Sequence, residues 1–195
     1  MLDLNTSLAG TRAAVSDLLA AADGAAASWT APRAPGKWSP SQVVEHVARL
    51  MDESTKVVTG APSEFPKIPI FFRPILRLLV FRRTLRRHAF PNMKAIPAFD
   101  PASGSATPAK ARVRLEGVLR RFDQACRARA ASGQDVKSTI FGPVSVAEFV
   151  KFQELHVRHH RLQMPGVAYR PSHPRNQRRV SSVRDYHDHG RNHRG

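Results

Sequence analysis

Apolar residues recur at helical spacing in four long stretches of this chain. In the first, Leu4–Ser28, the residues Leu4, Leu8, Val15, Leu18, Leu19 and Ala22 fall roughly every three or four positions. That period lines one face of a helix. Thr30–Lys37, broken by Pro32, Pro35 and Gly36, predicts a loop. The second helix is announced by its first turn. Ser39 is a good N-cap, Pro40 suits the first helical position, and Gln42 completes a capping box. Val43, Val47, Leu50 and Met51 give its apolar stripe, and Gly60 predicts its end.

The third helix starts at Thr107 and Pro108 and carries Val113, Leu115, Val118, Leu119, Phe122 and Cys126, ending by Gly133. Phe141–Pro143 reads as a turn. Ser145 with Glu148 forms a second capping box, and the fourth helix is predicted to run to about Met164, before Pro165 and Gly166. Between the second and third helices, Phe72, Ile75, Leu76, Leu79 and Leu85 alternate with Arg73, Arg77, Arg83, Arg86 and Arg87. This predicts a short basic amphipathic helix. Its ordinary reading is a leucine face on the domain under a solvated arginine face. The other is attachment to a membrane surface or an anionic partner.

The pattern predicts an all-α protein: a four-helix bundle over residues 1–166, with an insertion at about 64–106. Residues 167–195 have almost no apolar content and are expected to be a disordered basic tail. Composition agrees, with 42% hydrophobic and 7% aromatic residues. The single cysteine, Cys126, excludes an internal disulfide and reads as a core residue. No apolar run reaches the roughly 18 residues of a membrane span. The start is alanine-rich with Asp3, Asp17 and Asp23 and lacks a basic region, so it reads as a helix rather than a leader. A cytoplasmic protein is the expectation.

The net charge is +16, which raises the question of nucleic acid. Phe71–Lys94 carries seven Arg/Lys and no acid; Arg170–Gly195 carries seven Arg and two Asp. These segments, +7 and +5, leave only +4 for the rest. The charge therefore describes the insertion and the tail, through which nucleic acid stays open as an alternative partner.

Candidate chemistry sits in "ELHVRHHRLQ", Glu154–Gln163. His156 and His160 are four apart, about 40° around a helix, and share one face. The pair alone fits a metal site, a solvated surface or a satisfied core. His46 adds weight to the first, because it lies among Val43, Val47 and Leu50, where a polar group is costly unless paired. Three imidazoles from two helices can then meet at one point. Three protein ligands and one open position is the pattern of a catalytic rather than a structural site. Imidazole suits zinc, nickel or iron without choosing among them. His159 points elsewhere and is expected not to be a ligand. Phe149 and Gln163 share the face of His156 and are candidate pocket residues. Glu53, seven residues after His46, is the other catalytic candidate with Gln163. The tail histidines His173, His187, His189 and His193 lack a fold to hold a metal.

"KWSPSQVVEHV" followed by "FGPVSVAEFVKFQELHVRHHRLQ" resembles the DinB/YfiT-like superfamily, in particular a subgroup of largely uncharacterised bacterial proteins. The matching positions are Trp38 and Ser39 at the start of the second helix, His46 within it, and His156 and His160 on the last. The resemblance covers about Leu4–Pro165. It implies a four-helix bundle with a divalent metal on the three histidines. It also implies an enzyme, by preference a transferase using a low-molecular-weight thiol on a small-molecule substrate. A metal-dependent hydrolase is the alternative, and a homodimer is open. The arginine-rich insertion and the basic tail depart from the family pattern. If the insertion lies over the pocket mouth, Arg83 and Arg87 are expected to receive an anionic substrate.

Overall fold

The computed structural model describes residues 2–91 and 96–166, so the expectation of a disordered tail lies outside the described residues. The described chain is mostly helical with one small two-stranded sheet. The four long helices are α1 (Leu4–Gly24), α2 (Pro40–Thr59), α5 (Pro108–Ala131) and α6 (Val146–Arg161). Two short α-helices, α3 (Arg73–Leu76) and α4 (Arg83–Arg87), flank a π-helical stretch at Arg77–Arg82 and form one continuous irregular helix with it.

The helix starts follow from local chemistry. Asp3 accepts from the Thr6 N–H at 2.7 Å. Ser39 and Gln42 form a complete capping box, as do Ser145 and Glu148. Thr107 caps α5 above Pro108. α2 ends at Gly60, whose φ of 82° lies in the left-handed region that glycine adopts without strain. α1 is shorter than its pattern suggests. It stops at Gly24, and a 3-10 turn at Ala26–Ser28 carries the chain to buried Trp29.

α1 packs chiefly along α6 and α2 along α5, with further contacts between the two pairs. One contiguous core joins them, including Leu8, Leu18, Val43, Met51, Leu115 and Phe122. Cys126 belongs to it, and burial, with Asp123 nearby, pushes its thiol up to about 12, so it is an inert core residue. Three arginines of α5, Arg112, Arg114 and Arg121, are matched by acids on α1 and α2. Arg114 makes a two-pronged pair with Glu45 at 2.7 and 2.9 Å, and Arg121 bonds Asp52 at 2.9 Å. Arg12 of α1 pairs in turn with Asp123 of α5.

Two sequence expectations need correction. Phe141–Pro143 is not simply a turn. β1 (Val136–Ser138) and β2 (Gly142–Val144) form an antiparallel hairpin with Val136 opposite Val144. The turn lies at residues 139–141, where the Ser138 hydroxyl accepts from the Ile140 and Phe141 N–H groups. Strands of three residues are too short to show an alternation, and Gly142-Pro143 masks the second. Pro143 fits because a two-stranded sheet leaves its missing N–H on an edge.

The second correction concerns the insertion. Its helix has two apolar faces, not one. Phe81 is buried, stacked 5.0 Å from Phe152, and Leu76, Val80 and Leu85 pack on the core. Phe72, Ile75 and Leu79, expected on the buried side, are 49%, 51% and 57% exposed. They fall on a different arc of the helix from 76, 80, 81 and 84.

Candidate metal centre

α2 and α6 bring their imidazoles together as their spacing requires. His46, His156 and His160 are all buried, and one ring nitrogen of each lies within 4.8 Å of the others. Their ring centroids stand 4.4–5.4 Å apart. Burial holds His46 and His159 below the usual histidine range. It drives His156 well below that range and His160 down to about 3, and in each the neighbouring imidazoles add repulsion of a second positive charge. The trio is therefore neutral at pH 7, the form that ligates metal.

Hydrogen bonds fix which nitrogens face inward. The Nδ1 of His46 lies 2.8 Å from the Phe99 carbonyl oxygen. A carbonyl only accepts, so Nδ1 carries the proton and Nε2 is a free base. The His160 Nδ1–H donates to Gln163 Oε1 at 3.0 Å, which frees Nε2 there as well. That Nε2 lies 2.9 Å from the Nε2 of His156. Two lone pairs do not sit so close without a positive centre between them. A proton on His156 meets this need in the metal-free chain, and a cation meets it equally well. In a tetrahedral zinc site with bonds of about 2.0–2.1 Å, ligand nitrogens stand about 3.3 Å apart. The range from 2.9 to 4.8 Å brackets that value, so the residues fit a divalent ion.

The other expected residues separate into two kinds. Gln163 belongs to the site, but as an orienting group. Besides accepting from His160, its Nε2–H donates to His159 Nε2 at 3.3 Å; the His159 ring stands 5.2 Å from that of His160 but is not among the three that converge. Phe149 lines the cavity beside the imidazoles. Glu53 is not brought to the site. One carboxylate oxygen pairs with Lys56, and the other accepts from the Glu64 N–H at 2.8 Å. Seven residues along a helix amount to about 10 Å along its axis, beyond the reach of a glutamate. Glu53 secures the start of the insertion instead.

Several site residues left little or no trace in the sequence. Trp38 entered only through the family motif; its ring walls the site 4.6 Å from His46 and 6.0 Å from His160, and its indole N–H donates to Asp100 at 3.0 Å. Phe90 packs edge-on against His156 at 5.0 Å. Phe99 contributes a backbone carbonyl, for which no side-chain pattern exists. Beside the trio opens a largely apolar cavity of about 1250 Å³. Leu76 and Val80 of the insertion line it, but Arg83 and Arg87 do not, so the insertion flanks the cavity with its apolar side. Arg33, Lys37, Arg158 and Arg161 are also among the lining residues, and no carboxylate is among those described.

A family described as "Protein of unknown function (DUF1569)" matches residues 6–165. The chain belongs to this family. The match covers both helices that carry the imidazoles, so the site lies within the family's own domain, while the whole of the basic tail lies beyond it. The family's description assigns no activity and does not name the DinB/YfiT superfamily. No curated protein and no solved structure matches the chain.

Gln163 provides a test of the site's construction. Gln163→Leu is expected to weaken divalent-metal affinity about tenfold or more, because an unsupported ligand ring is free to turn. Gln163→Glu keeps an acceptor for the His160 Nδ1–H and is expected to retain most of it. Zinc titration against a competing chelator measures both, and equal loss in the two variants would refute an orienting role.

Proposed function

We propose that this chain is a metal-dependent enzyme on a four-helix bundle of the DinB/YfiT type, and that it transfers or rearranges groups with the help of a small thiol. The observation that carries the reading is the convergence of three buried, neutral imidazoles, two of them with Nδ1 tied outward by Phe99 and Gln163. His46, His156 and His160 would hold the ion. A divalent cation there supplies Lewis acidity, lowering the pKa of a thiol or water at its remaining position into the neutral range.

The chain's own residues do the rest. Trp38 and Phe90 shield the imidazoles from water and hold their planes. The apolar walls accept the body of an organic substrate, and Arg33, Lys37 and Arg161 favour one that carries negative charge. The cavity offers no carboxylate among the described residues to act as general base. A thiol acidified below ambient pH needs none, which supports thiol chemistry over hydrolysis by activated water. For the same reason Gln163 and Glu53 are not assigned as acid or base.

The test is spectroscopic. Full-length protein reconstituted with cobalt(II) is expected to change its visible absorption when small thiols are added, and His46→Ala is expected to show neither spectrum nor change. A cobalt spectrum indifferent to every thiol would turn the reading towards hydrolysis. No cobalt binding at all would end it.

A further inference from the structure

Six of the eight large hydrophobic residues exposed in the described structure fall within ten positions. They are Ile70 at 76%, Phe71 at 70%, Phe72 at 49%, Ile75 at 51%, Leu78 at 53% and Leu79 at 57%. Positions 71, 72, 75, 78 and 79 follow one face of a helix. This is not a core face awaiting its partner, because the helix already buries Phe81 and Thr84 on another side. Nor is it an isolated apolar spot of the kind common on surfaces.

The same segment is strongly basic. Arg73, Arg77, Arg82, Arg83, Arg86 and Arg87 lie on it, and no acid occurs between Glu64 and Asp100. None of the six arginines pairs with a carboxylate among the described residues, whereas Arg112, Arg114, Arg121 and Arg127 of α5 all do. Four of the six, Arg82, Arg83, Arg86 and Arg87, are exposed. The insertion therefore joins a bare apolar face to a field of unneutralised guanidinium groups.

We propose that this face docks on the surface of a bilayer containing anionic lipid. Ile70, Phe71, Phe72, Ile75, Leu78 and Leu79 enter the boundary between headgroups and acyl chains, a depth of about 5–10 Å for such helices. The arginines lie at headgroup level and bind lipid phosphates, which their planar forks match. Each arginine near an acidic surface adds about a fivefold gain in partition. No helix among the described residues is long and apolar enough to cross a membrane, so the attachment lies on the surface. Two other partners fit less well. Nucleic acid would satisfy the arginines but leave six large apolar side chains in water. A second copy of the chain, docked face to face, would set arginine against arginine. Docking would also place the cavity beside the bilayer, since Leu76 and Val80 on the adjoining arc line it.

Vesicle flotation of the full-length chain tests this, comparing phosphatidylcholine with phosphatidylcholine–phosphatidylglycerol vesicles. The wild type is expected to float with the anionic vesicles and not with the neutral ones. The basic tail adds attraction of its own, so the decisive variant changes no charge. Phe71→Ser/Phe72→Ser/Ile75→Ser is expected to lose at least tenfold in partition, with an unchanged thermal melt because these side chains are exposed. Arg83→Glu/Arg86→Glu/Arg87→Glu is expected to lose binding most at low salt. Unchanged flotation of the serine variant would overturn the proposal and leave the tail as the attractant. A wild-type dimer that the serine variant dissociates, with no flotation, would overturn it in favour of self-association. Binding to nucleic acid that survives the serine changes, with no flotation, would overturn it in favour of that partner.

Discussion

Replacing His156 with alanine is expected to remove about one equivalent of divalent metal from the protein. Structural zinc sites with four ligands bind with about 10–16 kcal/mol, so an even share is about 2.5–4 kcal/mol per ligand. Loss of one imidazole then costs about 10²–10³-fold in affinity. Elemental analysis of full-length protein after dialysis against a weak chelator measures it, beside His46→Ala. A His187→Asn/His189→Asn/His193→Asn variant removes competition from the tail. A second readout separates a metal site from a merely packed one. In chelator the three buried imidazoles stay neutral in the fold, with pKa values below the ordinary one and about 3 for His160. The unfolded chain takes up protons at about pH 6.5. Below that pH the unfolded state binds more protons, so stability falls as pH drops from about 6.5 towards 3. His156→Ala deletes one of these groups, and its melting temperature in chelator is expected to depend less on pH. Added metal is expected to stabilise the wild type and not the variant. Equal metal in both proteins, or none in either after reconstitution, would sink the site.

The parts of this fold that were legible in the sequence are those written in short-range patterns. Ser39 with Gln42 and Ser145 with Glu148 announce helix starts because a cap needs particular side chains at fixed spacing. His46 stood out because it interrupts an apolar stripe, and His156 with His160 because four residues return to the same face. The illegible parts depend on approach between distant segments. The Phe99 carbonyl that orients His46 is a backbone atom 53 residues away. The hairpin at residues 136–144 is too short to carry a period. Glu53 shares a face with His46 yet pairs with Lys56 and the Glu64 N–H, because helical spacing reports the face of a residue and says nothing of its height along the axis. In the insertion, an apolar residue every three or four positions revealed a helix, but two overlapping apolar arcs concealed that one of them faces outward.

The loop before α5 is where this hidden information is concentrated, and Gly104→Ala is expected to expose it. A Cβ at Gly104 would lie 2.2 Å from the Ser41 carbonyl oxygen and 2.4 Å from its carbonyl carbon. Both atoms belong to the first turn of α2, which the capping box holds in place, so the loop must yield. That loop is tied at several points. The Gln42 amide donates to the Pro101 carbonyl at 3.0 Å, the Trp38 indole to Asp100 at 3.0 Å, and the Trp29 indole to the Ser105 carbonyl at 2.7 Å. Overpacking of this kind costs about 1–3 kcal/mol. The consequence for the site is separate. As the loop moves, the Phe99 carbonyl leaves the His46 Nδ1–H, and loss of such an orienting contact weakens a metal site by about 10–100-fold. Gly117→Ala is the control. It lies on α5 with only the ends of Arg120 and Arg121 within 4 Å, and alanine there is expected to stabilise by about 0.5–1 kcal/mol without altering metal affinity. Thermal melts and zinc titration of both variants decide the matter. If Gly104→Ala melts lower but binds zinc as before, the loop supports the fold and the His46 tautomer is fixed without it. If both fall together, a backbone carbonyl far away in sequence is part of the metal centre.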